Sequence, residues 1–370
     1  MRNKRAFLPL LLAVLLLVCL CPVGAAASEA GEIYEKSGAE GIYDSLDQET
    51  QALLSQMGVE QGDPLPSEEG EGLLQTFSQL LREKLAAPLK GMAALLSVVV
   101  LSRLAVVFEE GGDTVILAAA LACAAVLTAP LLGLIQAAEQ VIDSACAFLG
   151  AGVPVYAALM AASGSGGAGG AYSTLALTAG SLIPVLSSAV LLPLLHAFLM
   201  LALASPLCKS RFDHLISSLY GFAKWLLVFS VTLFSGLLSV QTMLGAQIDA
   251  ASSKAVKLIA SSAIPIVGGA FGDAVAAIQN SVQIVKSGAG AFGILAALCI
   301  FAPTFLQAAL WLGVCLVCQA AAGLFDASRL AALFGACGSV ARMLLALMAS
   351  VCAVAVVCVA MVLLVKGSLA

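Results

Sequence analysis

From residue 91 onward the chain is almost uninterrupted apolar sequence, broken by two segments rich in proline and glycine, residues 152–170 and 263–290. The two resemble each other. Val153-Pro154-Val155 stands in the first and Ile264-Pro265-Ile266 in the second, each leading through glycines into a long hydrophobic run. Proline lacks a backbone donor and its ring clashes with the preceding turn, so neither segment reads as a plain membrane-crossing helix. In hydrocarbon, unpaired backbone is tolerated only where protein buries it or where it lines a watery cavity. Two interruptions at matching positions therefore predict a pair of re-entrant or interfacial elements, and they point to a pore or transport site built from repeated halves.

The composition supports a membrane chain. Apolar residues make up 61% and charged residues 11%, whereas soluble domains carry about one-quarter charged residues. Charge is also segregated. Between Ser28 and Lys90 there are thirteen acidic and four basic residues, against nine and ten beyond Lys90. With no basic stripe to neutralise phosphates, a nucleic-acid partner is not expected.

Arg2, Lys4 and Arg5, followed by the apolar run 7–20 and the small residues Ala25, Ala26 and Ala27, predict a signal peptide over residues 1–27. Cleavage then falls between Ala27 and Ser28, and residues 28–90 form an acidic extracytoplasmic segment. Glycines, prolines and two weakly amphipathic pieces (42–54 and 73–85) make it helical in part and disordered in part. Residues 91–370 form the multispanning domain. The expected fold is an all-α polytopic membrane protein with about six spans and a range of five to eight: 91–108, 114–136, 172–203, 219–244, 290–324 and 340–365. The third and fifth are long enough to be tilted, kinked helices or tight hairpins; Pro184, Pro193 and Pro303 lie within them. This arrangement places Lys209, Arg211, Lys224, Arg329 and Arg342 inside and the loop with Glu139 and Asp143 outside, in line with the positive-inside tendency. Lys254, Lys257 and Lys286 fall outside and go against it.

Recurring offsets lead us to expect an internal duplication relating residues 150–250 to 262–366. Phe212-Asp213 recurs as Phe325-Asp326, and Ala223-Lys224-Trp225-Leu226-Leu227 recurs as Ala341-Arg342-Met343-Leu344-Leu345. The candidate pathway and packing residues cluster at the two Pro/Gly elements: Pro154 and Tyr156 in the first, and Pro265, Gly268, Gly269, Gly272, Asp273, Asn280, Gln283 and Lys286 in the second. Gly268 and Gly272 have the small-xxx-small spacing that lets helices approach closely. From Asp273 the pattern turns amphipathic, which suits either a polar pathway edge or a helix lying on the membrane surface. Arg103 sits within a span and is a further candidate, because an intramembrane charge is expensive. His196 is isolated, so a bond to a backbone carbonyl suits it better than a relay or a metal. The cysteines lie in or beside apolar spans and read as small core residues; Cys315-x-x-Cys318 has no soluble redox context. No Walker loop, HExxH or Ser/His/Asp pattern is present. Neither a cofactor nor enzyme activity is expected.

Three segments resemble the stage III sporulation protein AE family of endospore-forming bacteria. They are Gly152-Val153-Pro154-Val155-Tyr156-Ala157-Ala158-Leu159-Met160, the stretch from Ile264 to Asp273, and Val285-Lys286-Ser287-Gly288-Ala289-Gly290 leading into Phe292-Gly293. The resemblance implies a multi-pass subunit of a channel complex between mother cell and forespore, set in the mother-cell membrane beside other membrane subunits, with self-association left open. A self-sufficient small-molecule permease, with its substrate site at the two Pro/Gly elements, is the alternative. N-terminal sequencing of membrane-extracted protein should begin at Ser28; recovery of residues 1–20 would exclude cleavage.

Overall fold

The computed structural model describes residues 40–57, 71–108, 112–162, 186–204 and 268–364, with scattered positions between 170 and 236. The signal segment with Ala27 and Ser28, the basic residues Lys209, Arg211 and Lys224, and Pro265 lie outside the described residues. So does most of the fourth expected span, and with it the comparison of the two proposed repeats. Among the described residues all regular structure is helical. Two short helices, α1 (Glu40–Asp44) and α2 (Gln48–Gln56), precede two long ones, α3 (Glu71–Phe108) and α4 (Gly112–Ala162). A π-helical turn, Ser187–Leu191, leads into α5 (Leu192–Ala204). The last two helices are α6 (Gly268–Leu324) and α7 (Ser328–Leu364).

Four of these helices are long and apolar enough to cross a membrane, over Ser78–Val106, Thr114–Ala161, Gly288–Leu324 and Ser328–Ala360. They correspond to the first, second, fifth and sixth expected spans. The third is represented by the π-turn and α5.

The helices bear on three of these readings. Pro154 was expected to interrupt the backbone, yet α4 continues through Pro130 and Pro154 to Ala162 as one 51-residue helix. A proline inside a helix removes a single backbone bond and strains one turn, and α4 is held on both sides of Pro154 by the buried Phe148, Leu149, Val153 and Tyr156. The second Pro/Gly element is also helical over its described part. α6 starts at Gly268 and runs 57 residues through Pro303, without a reversal, so the fifth span is a single long helix and not a hairpin. Finally, α3 passes through Lys90 unbroken. The acidic segment and the first span are divided by composition, while the backbone there is one rod.

Side-chain contacts set the directions of the helices. Gly91 of α3 faces Trp311 of α6, and Arg103 further along α3 bonds the carbonyl of Phe325, so α3 and α6 run the same way. Tyr156 near the end of α4 reaches Ala289 near the start of the described α6 core, so α4 runs opposite. α7 returns from α6 through the turn at Phe325-Asp326-Ala327. That turn is a Schellman closure. Ala327 N–H bonds the carbonyl of Ala322 at 2.8 Å, and Asp326 N–H that of Gly323 at 3.1 Å. Asp326 takes the left-handed conformation, φ 55°, that such a closure needs, and short polar residues tolerate it best after glycine. The Arg103 guanidinium donates to the Phe325 carbonyl at the negative end of the α6 dipole, which ties α3 to this hairpin.

Packing along α7 follows a heptad. Leu330, Leu333, Cys337, Val340, Leu344, Leu347, Val351, Val354 and Cys358 alternate at three- and four-residue steps, and all are buried. That spacing is the seam of nearly antiparallel, coiled-coil-like neighbours. Across the core, α6 buries Ala289, Ala296, Ala297, Ala308, Cys315, Cys318 and Ala322, with Cys315 against Gly338 of α7. Without a hydrophobic driving force in lipid, close approach over small residues supplies the van der Waals contact that holds helices together.

The short helices α1 and α2 pack onto the bundle. Ile42, Leu46 and Leu54 are buried in the same core as Phe148, Tyr156 and Phe292, and Tyr43 stacks on Phe292 with centroids 6.3 Å apart. Each fully buried aliphatic side chain is worth about 1.5–3 kcal/mol where water is the alternative. By contrast, the partly exposed Lys84–Glu49 pair at 3.0 Å adds about 0–1 kcal/mol. The acidic segment is therefore anchored by its apolar residues.

At Gly91 an added Cβ would fall 2.6 Å from the Trp311 ring carbon Cη2. Gly91→Val should cost about 1–3 kcal/mol, read as a lower thermal midpoint in detergent, and Trp311→Leu should restore part of it.

Candidate functional site

Among the described residues Tyr156 is the largest fully buried side chain, and it marks the point where α4, α6 and α7 meet. The ring is placed by the helix continuing through Pro154, so the two candidate residues of the first element act together: Pro154 lies on the exposed face and Tyr156 points inward. The Tyr156 hydroxyl donates to the Ala289 carbonyl at 3.5 Å. This long bond gives the phenol a polar partner in an otherwise apolar setting, as a buried tyrosine requires.

Two glycines make room for the ring. A Cβ on Gly152, one turn earlier, would sit 2.7 Å from Tyr156 Cε2. A Cβ on Gly293 would collide with the Tyr156 hydroxyl and lie 2.7 Å from Val359 Cγ1 on α7. Phe292, adjacent to Gly293, carries the stack with Tyr43. The locus thus joins α1, α4, α6 and α7 within one layer.

The layer is closely packed. Phe148, Tyr156 and Phe292 are all buried. A surface groove of about 730 Å³, lined by Glu49, Leu53, Gln56, Gln79, Arg82 and Glu83, lies between α2 and α3 beside the Lys84–Glu49 pair, away from Tyr156.

The sequence candidates are not all brought together. Gly268, Gly269, Gly272, Asp273, Asn280, Gln283 and Lys286 belong to the first half of α6, whose backbone is helical and continuous with the packed part. Arg103 sits at the opposite, hairpin end. The interval from Ala289 to Phe325 along α6 corresponds to about 50 Å at ~1.5 Å per residue, so Arg103 and Tyr156 cannot share a site. His196 Nδ1 lies 2.9 Å from the Leu192 carbonyl, one turn back on its own helix. Arg342 does likewise, its Nε donating to the Gly338 carbonyl at 3.1 Å and its terminal nitrogen to Ser339 Oγ at 3.2 Å. Ser102, Thr128 and Ser339 also return their hydroxyls to carbonyls of the preceding turn. All eight described cysteines are free. Among the described residues no group of His, Cys, Asp and Glu could hold a metal ion.

Two contributors were missed from sequence. Gly293 was quoted only as part of the Phe292-Gly293 pair, and α1 was not expected to reach the membrane helices. The first had a local signal, a glycine one helical turn after Ala289. The second is a long-range contact with none.

Gly293→Ala should destabilise the detergent-solubilised protein, because the new methyl meets the phenol oxygen. Tyr156→Phe should cost only about 0.5–1.5 kcal/mol for the lost hydroxyl. The two changes combined should be less harmful than their sum, since removing the oxygen relieves the clash. Additive thermal shifts would show that the two positions do not touch.

No solved structure matches this chain. A curated relative, the stage III sporulation protein AE of Bacillus subtilis (strain 168), is 25% identical over 169 residues, which is 45% of this chain and 42% of the relative. The aligned part thus spans less than half the length of that relative. The family model described as stage III sporulation protein AE matches residues 51–368. That match takes in α3 through α7, including Arg103, Tyr156 and Gly293, and with its four membrane-length helices the chain belongs to the stage III sporulation protein AE family of sporulation membrane proteins.

Proposed function

We propose that the protein is an integral membrane subunit of a sporulation trans-envelope channel or transport complex between mother cell and forespore, supporting forespore development. It would lie in the mother-cell membrane around the forespore, with residues 28–90 on the extracytoplasmic side and with other membrane subunits of the complex as its partners. Family membership supports the sporulation setting.

The observation that carries a subunit role, and not that of a self-sufficient permease, is the filled state of the Tyr156 layer. The permease reading puts its substrate site at the Pro/Gly elements. In the described one, Tyr156 occupies the space between α4, α6 and α7, and two glycines are needed to admit it. A binding site is a concavity with a few convergent polar groups; this locus is a packed joint. Rigid packing at a joint serves a chain whose work is to hold a shape within an assembly.

Affinity purification from sporulating cells in a mild detergent, followed by identification of the accompanying proteins, tests the reading. Other sporulation membrane subunits should co-purify in fixed proportion, and the chain reconstituted by itself in vesicles should pass no small solutes. A chain that purifies without partners and moves solutes unaided would establish the permease instead.

A further inference from the structure

The long helices exceed the thickness of a bilayer. The apolar stretch Thr114–Ala161 of α4 has 48 residues, about 70 Å at ~1.5 Å per residue, against a hydrocarbon core of about 30 Å. Tilting cannot absorb that difference, because even a 40° tilt would leave more than 50 Å to be accommodated. Part of this bundle must therefore lie outside hydrocarbon.

Surface exposure shows which part. On the four long helices, the exposed large apolar side chains are Leu89, Val100, Leu101 and Leu104 of α3, Leu121 of α4, and Leu316, Val317 and Leu324 of α6, with Phe325 just beyond. All of them lie toward the hairpin end marked by the Arg103–Phe325 bond. Toward the opposite end only Val357 joins them, at 39% exposure. α6 shows the contrast along one helix: from 288 to 305 its only exposed residue is Ala302, whereas from 316 to its end and the following Phe325 four large apolar residues are exposed, Leu316, Val317, Leu324 and Phe325.

Polar residues bound the same zone. Past its hairpin end come Asp326 and Arg329. At its other limit stand Lys84 and Lys90 on α3, and Gln136, Glu139, Gln140 and Asp143 on α4, of which the four α4 residues share one exposed face. From Thr114 to Gln136 is about 33 Å of helix, close to one hydrocarbon thickness.

We infer that the bilayer surrounds only the hairpin half of the bundle, up to the level of Lys84 and Gln136, and that the other half stands out of the membrane as a water-facing helical stalk flanked by α1 and α2. Acyl chains are the partner that fits the Leu89–Leu104, Leu121 and Leu316–Phe325 belt. Beyond Gln136, α4 continues for about 40 Å to Ala162. Its exposed positions there are small or polar (Glu139, Gln140, Asp143, Ala147, Gly150, Pro154, Ala158 and Ala161), as suits a surface in water. The Tyr156 layer then lies well above the membrane, where burial from water gives Ile42, Phe148 and Phe292 their full hydrophobic value. The inference does not rest on the channel reading, since a chain without partners would be immersed to the same depth.

Spin labels on single introduced cysteines test it, in full-length protein whose native cysteines have been replaced, reconstituted in lipid vesicles. Ala147→Cys and Ala158→Cys probe the stalk, and Leu101→Cys and Leu121→Cys probe the belt. The stalk labels should relax several-fold more with a water-soluble nickel chelate than with oxygen, and the belt labels the reverse. A lipid signature at either stalk position, or an aqueous one at either belt position, overturns the inference. Low accessibility to both reagents at Ala147 and Ala158 also overturns it, in favour of a contact between copies of the chain.

Discussion

Every polar group that enters hydrocarbon must find its partner within the protein, and this constraint shapes the described structure at each scale. The backbone answers it with helices. Side chains answer it by bonding one turn back, as Ser102, Thr128, Ser339, His196 and Arg342 do. Helix ends are the hard case, because their last carbonyls have no helical partner. At the α6–α7 turn the need is met by the Schellman bonds to Ala322 and Gly323 and by Arg103 reaching across from α3. An intramembrane arginine that looked like a pathway residue is thus explained as the cap of another helix, and the cost of its charge is offset at a helix terminus of opposite sign.

Once the polar groups are satisfied, the bundle is held by shape. The α7 heptad and the alanine- and cysteine-rich face of α6 let backbones approach closely over many turns. At two places a large ring demands a glycine opposite: Trp311 at Gly91 and Tyr156 at Gly293. These pairs fix axial register, since sliding a helix by one turn would put a Cβ where each ring now lies. The buried cysteines belong to the same logic, as small polarizable residues filling helix contacts.

Much of this was legible in the chain. The all-helical membrane class follows from composition, and four of six expected spans coincide with long apolar helices. His196 binds a backbone carbonyl as its isolation suggested. What misled was the weight given to proline. Pro154 looks like an interruption in one dimension, but it costs a single bond in a helix held by buried side chains on both sides of it. Periodicity also could not show that Ile42, Leu46 and Leu54 belong to the bundle core, because the sequence between them and their partners runs to more than a hundred residues. For Arg103 the residue type marked an anomaly, and only the fold could supply Phe325 as its cause.

The filled centre has a consequence for how a passage could be made. Leu127, Leu131, Phe148, Tyr156, Phe292 and Phe334 occupy the space between the described helices. Opening a water path there would strip these side chains of contacts and expose carbonyls already in use, at a cost of several kcal/mol for each bulky residue displaced. The outer faces are different. α4 presents Gly133, Gln136, Gln140, Asp143, Ala147 and Gly150 along one exposed side, a surface small and polar enough to face water or a neighbouring helix without repacking the core. Among the described helices, then, the packed interior is the costly place to admit water, and this outer face of α4 is the cheap one.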